Sequence, residues 1–257
     1  MKLGRFGLAA GMVWVAWMGF SQLGFSQTGV SQQGGDAEYS RKNTFSGFFE
    51  YSNDSSHIIL GNSENRKIGA IGFQYQRRLL HRSLFDFSYT AEARPGMIES
   101  DPVLTQTVVQ TSPVKSSSPE PSSAVVRCIA QTSAPVTTVI GPTTYSYVVV
   151  DTCSRRTVVE QGLSPVGVRL NLMPSHRLQL TFSSFAGYMF ASQEVPVPNA
   201  GAFNFTFEFG GGLEWYRTRT QSVRLEYQVQ HYSDKQTSTA NPGVDSGLVK
   251  LTYAFGK

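Results

Sequence analysis

The sequence predicts an all-β chain, an eight-stranded antiparallel transmembrane β-barrel with short periplasmic turns and long outer loops. Three observations carry this. Eight segments alternate apolar and polar residues with a period of two, which gives a strand one apolar and one polar face. Each runs to roughly 9–13 residues, matching a tilted strand that crosses a bilayer and exceeding the length usual in a soluble sandwich. The links between segments alternate short and long, as they do in outer-membrane barrels.

The elements follow in order. Lys2 and Arg5 precede an apolar run from Leu8 to Phe20, and small residues then offer cleavage after Ser21 or Ser26. Residues 1–26 therefore read as a signal peptide. A membrane-anchoring helix is the alternative, but the run is short and cleavage sites follow it. Residues 27–42 form a Gln/Gly/Ser-rich tail, and 43–257 form the barrel. The first strand is marked by Phe45, Gly47, Phe49 and Tyr51, and the second by Ile71, Phe73 and Tyr75. The third carries Phe85, Phe87, Tyr89, Ala91 and Ala93, the fourth Val166, Val168, Leu170 and Leu172. The fifth carries Leu178, Leu180, Phe182, Ala186, Tyr188 and Phe190, and the sixth Phe203, Phe205, Phe207 and Phe209. Val223, Leu225, Tyr227 and Val229 mark the seventh; Val249, Leu251, Tyr253 and Phe255 mark the eighth.

The opposite faces hold Glu50, Asp86, Glu92, Arg169, Asn171, Glu208, Arg224 and Glu226. An eight-stranded barrel has an interior just wide enough for side chains, so this set forms a hydrogen-bonded plug, with Glu208, Arg224 and Glu226 as buried ion pairs. Short links lie at Arg78–Arg82, Met173–His176 and Arg217–Thr220. Long links lie at Asn53–Arg66, Arg94–Gly162, Ala191–Ala202 and Asp234–Val244. Both termini then fall in the periplasm. Within the second long link, residues 95–162 form an extracellular insertion rich in Ser, Thr, Pro and Val. A connection of this length is usually functional or disordered. The stretch TTYSYVVVD suggests a short external hairpin; no activity is assigned to it.

Bulk properties exclude several classes. Mean hydropathy is slightly negative, which rules out a helical membrane protein but not a barrel. Loss of Lys2 and Arg5 with the signal takes the formal charge from +4 to +2, and no basic stripe suggests nucleic acid. Cys128 and Cys153 are the two cysteines. Export favours a disulfide over two free thiols, and closing that loop is worth roughly 3 kcal/mol on the loop-entropy model. His57, His81 and His176 are scattered, with no metal-ligand spacing. The run Gly210–Gly212 lies in a strand, where it relieves barrel curvature rather than cradling phosphate.

One constellation can carry chemistry. In RLEYQVQHYSD, His231 and Ser233 continue the apolar face of the seventh strand. They lie at its outer end, about 6.5–7 Å apart along the strand. Asp245 shares the parity of Val249 and Leu251 on the eighth strand, so a hairpin brings it to the same patch. A serine hydroxyl needs a base to take its proton, and a carboxylate on the other ring nitrogen fixes the tautomer of that base. The intervening loop offers Asn241 and the backbone around Gly243 as oxyanion donors. The plain alternative is a set of polar residues resting among lipid headgroups, where ionisable side chains cost little.

The span Arg224–Phe255, with H-x-S at a strand end, then NPG, then an acidic residue, resembles the outer-membrane lipid A deacylases, the PagL-like enzymes. The FNF of Phe203–Phe205, the glycine run and QYQRRL at Gln74–Leu79 add to it. The resemblance covers most of the barrel but not residues 95–162. It implies an eight-stranded barrel with an outward triad that hydrolyses the ester-linked 3-O acyl chain of lipid A without a cofactor. By matching position, Ser233 is the nucleophile, His231 the base, Asp245 the acid, and Asn241 a residue of the oxyanion hole. This chain departs twice: the acid is Asp where the family has Glu, and Asp234 follows the serine where Asn is usual.

The leading expectation is a lipid A ester hydrolase in the outer leaflet, with lipopolysaccharide as substrate and acyl chains along Tyr227, Val229, Phe205, Val249 and Leu251. A homodimer is compatible with this reading. A non-catalytic barrel that binds partners through its long outer loops is the alternative. A diffusion porin is disfavoured because eight strands leave no channel.

Overall fold

The computed structural model describes residues 39–235 and 237–257. The expected signal peptide and all but the last four residues of the expected tail lie outside the described residues. Among the described residues the regular structure is all β, and every named strand pairs antiparallel. Its strands are β1 Asn43–Ser52, β2 Lys67–His81, β3 Phe85–Ser112, β4 Ser116–Pro119, β5 Ser123–Ala124, β6 Gln131–Thr132, β7 Val136–Ile140, β8 Thr143–Leu172, β9 Leu178–Ala191, β10 Phe203–Tyr216, β11 Gln221–Ser233 and β12 Val244–Gly256.

Eight of these close a ring in the order β1, β2, β3, β8, β9, β10, β11, β12. The ring is sealed by β1 against β12, from Thr44↔Gly256 to Tyr51↔Val249. Closure leaves the ring itself without a free strand edge, the condition for spanning a bilayer with strands. The two ends of the described chain meet at the short-turn end, where Lys257 O accepts from the N–H groups of Lys42 and Asn43.

Period-two alternation sorts the side chains as expected. Phe45, Phe73, Phe207, Leu225, Leu251 and Phe255 point outward and are exposed, Phe73 to 67 %. An apolar surface this continuous has no place in water; it is the lipid face of a transmembrane barrel. Aromatic groups gather at both ends of it. Phe45 packs on Tyr75 and Phe255 near the short turns, and Tyr188, Phe190, Phe203 and Phe205 pack together near the long connections. These are the two girdles of such a barrel. The Gly210–Gly212 run has a close-approach role: a Cβ at Gly210 would lie 2.1 Å from Tyr227 O, and one at Gly212 2.0 Å from Leu225 O.

Every inward polar residue named from the sequence is buried. Arg94 donates to Glu50 at 2.6 Å and Glu92 at 3.0 Å, and also to Glu208. Lys250 donates to Glu92. Lower in the barrel, Arg169 meets Glu226 at 2.6 Å, Arg224 meets Glu226 at 3.1 Å, and Arg41 meets Glu214 at 2.7 Å. Removing an ion from water costs several kcal/mol, which pairing and additional hydrogen bonds offset.

The structure differs from expectation beyond Ala93. The sequence ends the third strand there and starts the fourth at Val166, but β3 runs on to Ser112 and β8 begins at Thr143. The two strands stay paired up to Ser112↔Ser146. Neighbouring ring strands stop earlier, at Lys67↔Ser100 and Glu160↔Ala191. From Asp101 outward the pair therefore leaves the ring, reaching about 40 Å at the usual strand rise. Outside the ring it is flanked by β4 and β5 on β3 and by β6 and β7 on β8. The Cys128–Cys153 disulfide staples this hairpin. Its strands escaped the sequence reading because neither face there meets lipid. Thr and Ser then replace the apolar row, and the polar–apolar contrast that marks a barrel strand is lost.

Candidate functional site

The site lies on the outer wall at the end that carries the long connections. β11 alternates to its last residue, with Gln230, Tyr232 and Asp234 turned in and buried, and His231 and Ser233 turned out and half-buried. Tyr232 shows the parity directly, since its hydroxyl donates to Glu99 inside the barrel at 2.5 Å and 2.7 Å. Across the hairpin His231 faces Asp245 in register, so the two side chains leave the same face.

They meet. His231 Nδ1–H donates to Asp245 Oδ1 at 2.6 Å. A carboxylate only accepts, so Nδ1 carries the proton, and Nε2 of the neutral ring is left with its lone pair. The His231 side chain is 16 % exposed and that of Asp245 is fully covered. The cover is the connection between β1 and β2: Asp245 Oδ2 accepts from the N–H groups of Ile58 at 3.0 Å, Ile59, and Leu60 at 2.9 Å. Such a set of donors favours the carboxylate anion. The shorter acid therefore reaches its histidine.

Ser233 sits two residues beyond His231 on the same face and opposite Phe205 of β10. Among the described residues no hydrogen bond joins its hydroxyl to the ring, an arrangement common before substrate binds. Asp234 is placed away from the serine face. Its carboxylate accepts from Gly201 N–H at 3.1 Å, and its carbonyl accepts from Thr237. It ties the 192–202 and 234–243 connections together.

Of the two expected oxyanion donors, Gly243 is at the site. Its φ of +59° suits glycine, and a Cβ there would lie 3.1 Å from His231 Cε1. Asn241 is half-buried in the same loop and is not among the groups bonded to the pair. Tyr227, Val229 and Val249 line the wall below. The Tyr227 ring leans over Gly247, where a Cβ would lie 2.1 Å from its hydroxyl. That brings the phenol one register step closer to Asp245 than its own strand partner Val249. Of the other histidines, His57 lies in the connection that covers Asp245, while His81 pairs with Asp86 at 2.6 Å and His176 with Ser175 at 3.2 Å, both at the short-turn end. Among the described residues no group of three or more His, Cys, Asp or Glu is arranged to hold a metal.

Sequence reasoning missed Ile58–Leu60 and Gly247. The 53–66 connection has no period to read, and it acts through peptide groups that no side chain advertises. Gly247 was hidden within an otherwise regular strand.

Fold and site together define a transmembrane β-barrel with an ordered histidine–aspartate pair and a serine on its outer wall. Residues 130–254 match the family model described as Lipid A 3-O-deacylase (PagL). The match contains His231, Ser233 and Asp245 but not the 53–66 connection. Solved structures similar to the chain include Neisserial surface protein A, at 6 % identity over 84 % of this chain and 97 % of that one, with a TM-score of 0.40. An outer membrane channel from Pseudomonas putida F1 matches at 8 % identity over 88 % and 99 %, TM-score 0.28. LpxR from Salmonella typhimurium matches at 6 % identity over 83 % and 100 %, TM-score 0.25. No curated protein sequence matches the chain.

Proposed function

We propose that this chain is a serine esterase that removes the 3-O acyl chain of lipid A in the outer leaflet of the outer membrane. The observation that carries it is the 2.6 Å bond from His231 to Asp245, made on a lipid-facing wall with Ser233 beside it. A second histidine–aspartate bond, His81 to Asp86, lies at the short-turn end; what sets His231 apart is its place on the lipid-facing wall with Ser233 two residues away on the same face. With the long connections outside the cell, the patch lies at the level of the outer-leaflet headgroups. Acyl chains would run down the wall along Tyr227, Val229 and Val249, and the sugar would rest against the 234–243 loop.

In the reaction Ser233 Oγ attacks the ester carbonyl carbon while His231 Nε2 takes its proton. Asp245 stabilises the imidazolium. The carbonyl oxygen becomes an oxyanion, for which the 234–243 loop supplies N–H donors at Gly243 and the side chain of Asn241. Collapse breaks the ester C–O bond, and His231 returns the proton to the departing sugar oxygen. Water, activated by the same nitrogen, then attacks the acyl-serine, releasing a fatty acid and restoring Ser233. The reaction so written uses no cofactor.

The test is mass spectrometry of lipid A from a host lacking the enzyme. Expression should remove one 3-hydroxyacyl group, and Ser233→Ala or His231→Asn should abolish that loss while the barrel still folds. Unchanged lipid A beside a well-folded wild-type barrel rejects the esterase reading. It would favour the second reading, a partner-binding barrel, for which the specific support is the stapled hairpin that leaves the ring.

A further inference from the structure

The geometry of Asp245 depends on a segment outside the family match. Oδ1 faces His231, and Oδ2 accepts from three consecutive peptide N–H groups, those of Ile58, Ile59 and Leu60. The segment is bound to β12 and the loop before it. Ser56 N–H donates to Asp245 O at 3.1 Å, Asn62 N–H to Pro242 O at 2.8 Å, and Ser63 N–H to Gly243 O at 3.2 Å. His57 Nδ1–H donates to Gly61 O at 2.7 Å and closes one turn around the carboxylate. At Gly61 the two backbones touch: a Cβ there would lie 2.5 Å from Asp245 N and 2.9 Å from its Cγ. Contacts that short force the segment or the strand to move.

We propose that Ile58–Gly61 is a positioning device for the reaction, in which three peptide N–H groups clamp Asp245 so that it holds His231 in the tautomer and orientation that Ser233 requires. This rests on the esterase reading and deepens it. An aspartate is one methylene shorter than the glutamate of the resembling family, so its carboxylate must be held at one end to present the other. Successive peptide N–H groups form a nest suited to one anionic oxygen. With Oδ2 seated there, Oδ1 stands in register with His231 on the facing strand. Ile58 and Leu60 turn their side chains to the exterior. Gly61 is therefore the residue whose identity matters, because it permits the approach.

The test uses the full chain refolded in detergent micelles. Gly61→Ala is compared with Gly69→Ala, where an added Cβ meets nothing within 4 Å. His57→Ala is a milder second variant, since His57 is exposed and shapes the turn without touching Asp245. Heat-modifiable migration reports folding. Turnover of purified lipopolysaccharide gives kcat and KM separately. The low-field proton resonance of His231 Nδ1–H, seen in histidine-labelled protein, reports its bond to Asp245 without reference to activity. A misplacement on the order of 1 Å costs about a hundredfold in rate. Folded Gly61→Ala should lose about that factor in kcat with KM unchanged, and its low-field resonance should disappear. His57→Ala should move both in the same direction by less, and Gly69→Ala should match wild type. If Gly61→Ala does not fold, His57→Ala decides. Folded variants that keep wild-type kcat and the low-field resonance overturn the clamp. A wild-type protein that leaves lipid A intact, yet loses the resonance in Gly61→Ala, rejects the esterase reading and upholds the clamp.

Discussion

At Asp234 a carboxylate follows the serine directly, and strand parity decides what it does there. Beside a developing oxyanion a negative charge would oppose the reaction, so the sequence raises the question of interference. The structure turns the side chain to the other face, onto Gly201 N–H. Asparagine keeps an acceptor oxygen at that position. Asp234→Asn should therefore leave kcat within about twofold of wild type, the scale of an ordinary substitution away from a critical contact. A tenfold gain, measured on purified lipopolysaccharide, would show that the carboxylate reaches the site. His231, Ser233 and Asp245 were legible because a two-residue period needs no coordinates: residues 231 and 233 must share a face, and 245 follows from 249 and 251. The bond length was not legible. It depends on Ile58–Leu60, nearly two hundred positions away in sequence, and backbone donors leave no mark in residue type.

The hairpin formed by the outer parts of β3 and β8 behaves as an element with its own sources of stability. The ring holds β3 through β2 only as far as Ser100, and β8 through β9 only from Glu160. Beyond that the pair is held by short flanking strands, by bonds from Glu64 and Arg66 to the carbonyls of Val125 and Val126, and by the Cys128–Cys153 bridge, which closes a separation of 25 residues. The loop-entropy model gives such a closure roughly 3 kcal/mol, and here it acts on the hairpin rather than the ring. Cys128→Ser with Cys153→Ser should leave heat-modifiability and lipid A turnover at wild-type levels. The same variant should expose the 113–142 segment to limited proteolysis, read by mass mapping of the fragments. Cleavage at an unchanged rate would mean that the flanking strands and the Glu64 and Arg66 bonds suffice. The sequence reading located this element's boundaries poorly for the reason that made the ring easy to find. A lipid face imposes strict alternation of large apolar residues, and a sheet outside lipid does not.

Across the whole molecule, the polar interior offsets the apolar exterior. The groups named in the plug are Arg41, Arg94, Arg169, Arg224 and Lys250 against Glu50, Glu92, Glu208, Glu214 and Glu226. Their charges cancel, and all of them are buried, as expected of an eight-stranded barrel whose interior is filled by side chains. Arg94 is the hub, since Glu50, Glu92 and Glu208 all bond to it. Arg94→Met leaves three buried carboxylates with Lys250 as the nearest cation, and unpairing a buried charge costs about 3–5 kcal/mol. Replacing the facing carboxylate as well removes the unpaired charge, and an apolar pair of similar volume is often neutral. Arg94→Met/Glu208→Met should therefore recover part of the stability lost in Arg94→Met, measured by urea titration of the barrel in lipid vesicles. Recovery with an intact His231 low-field resonance would show that the plug sets the stability of the ring while the outer wall keeps its own geometry. If the double variant is less stable than the single one, the plug acts through packing of these long side chains rather than through charge balance.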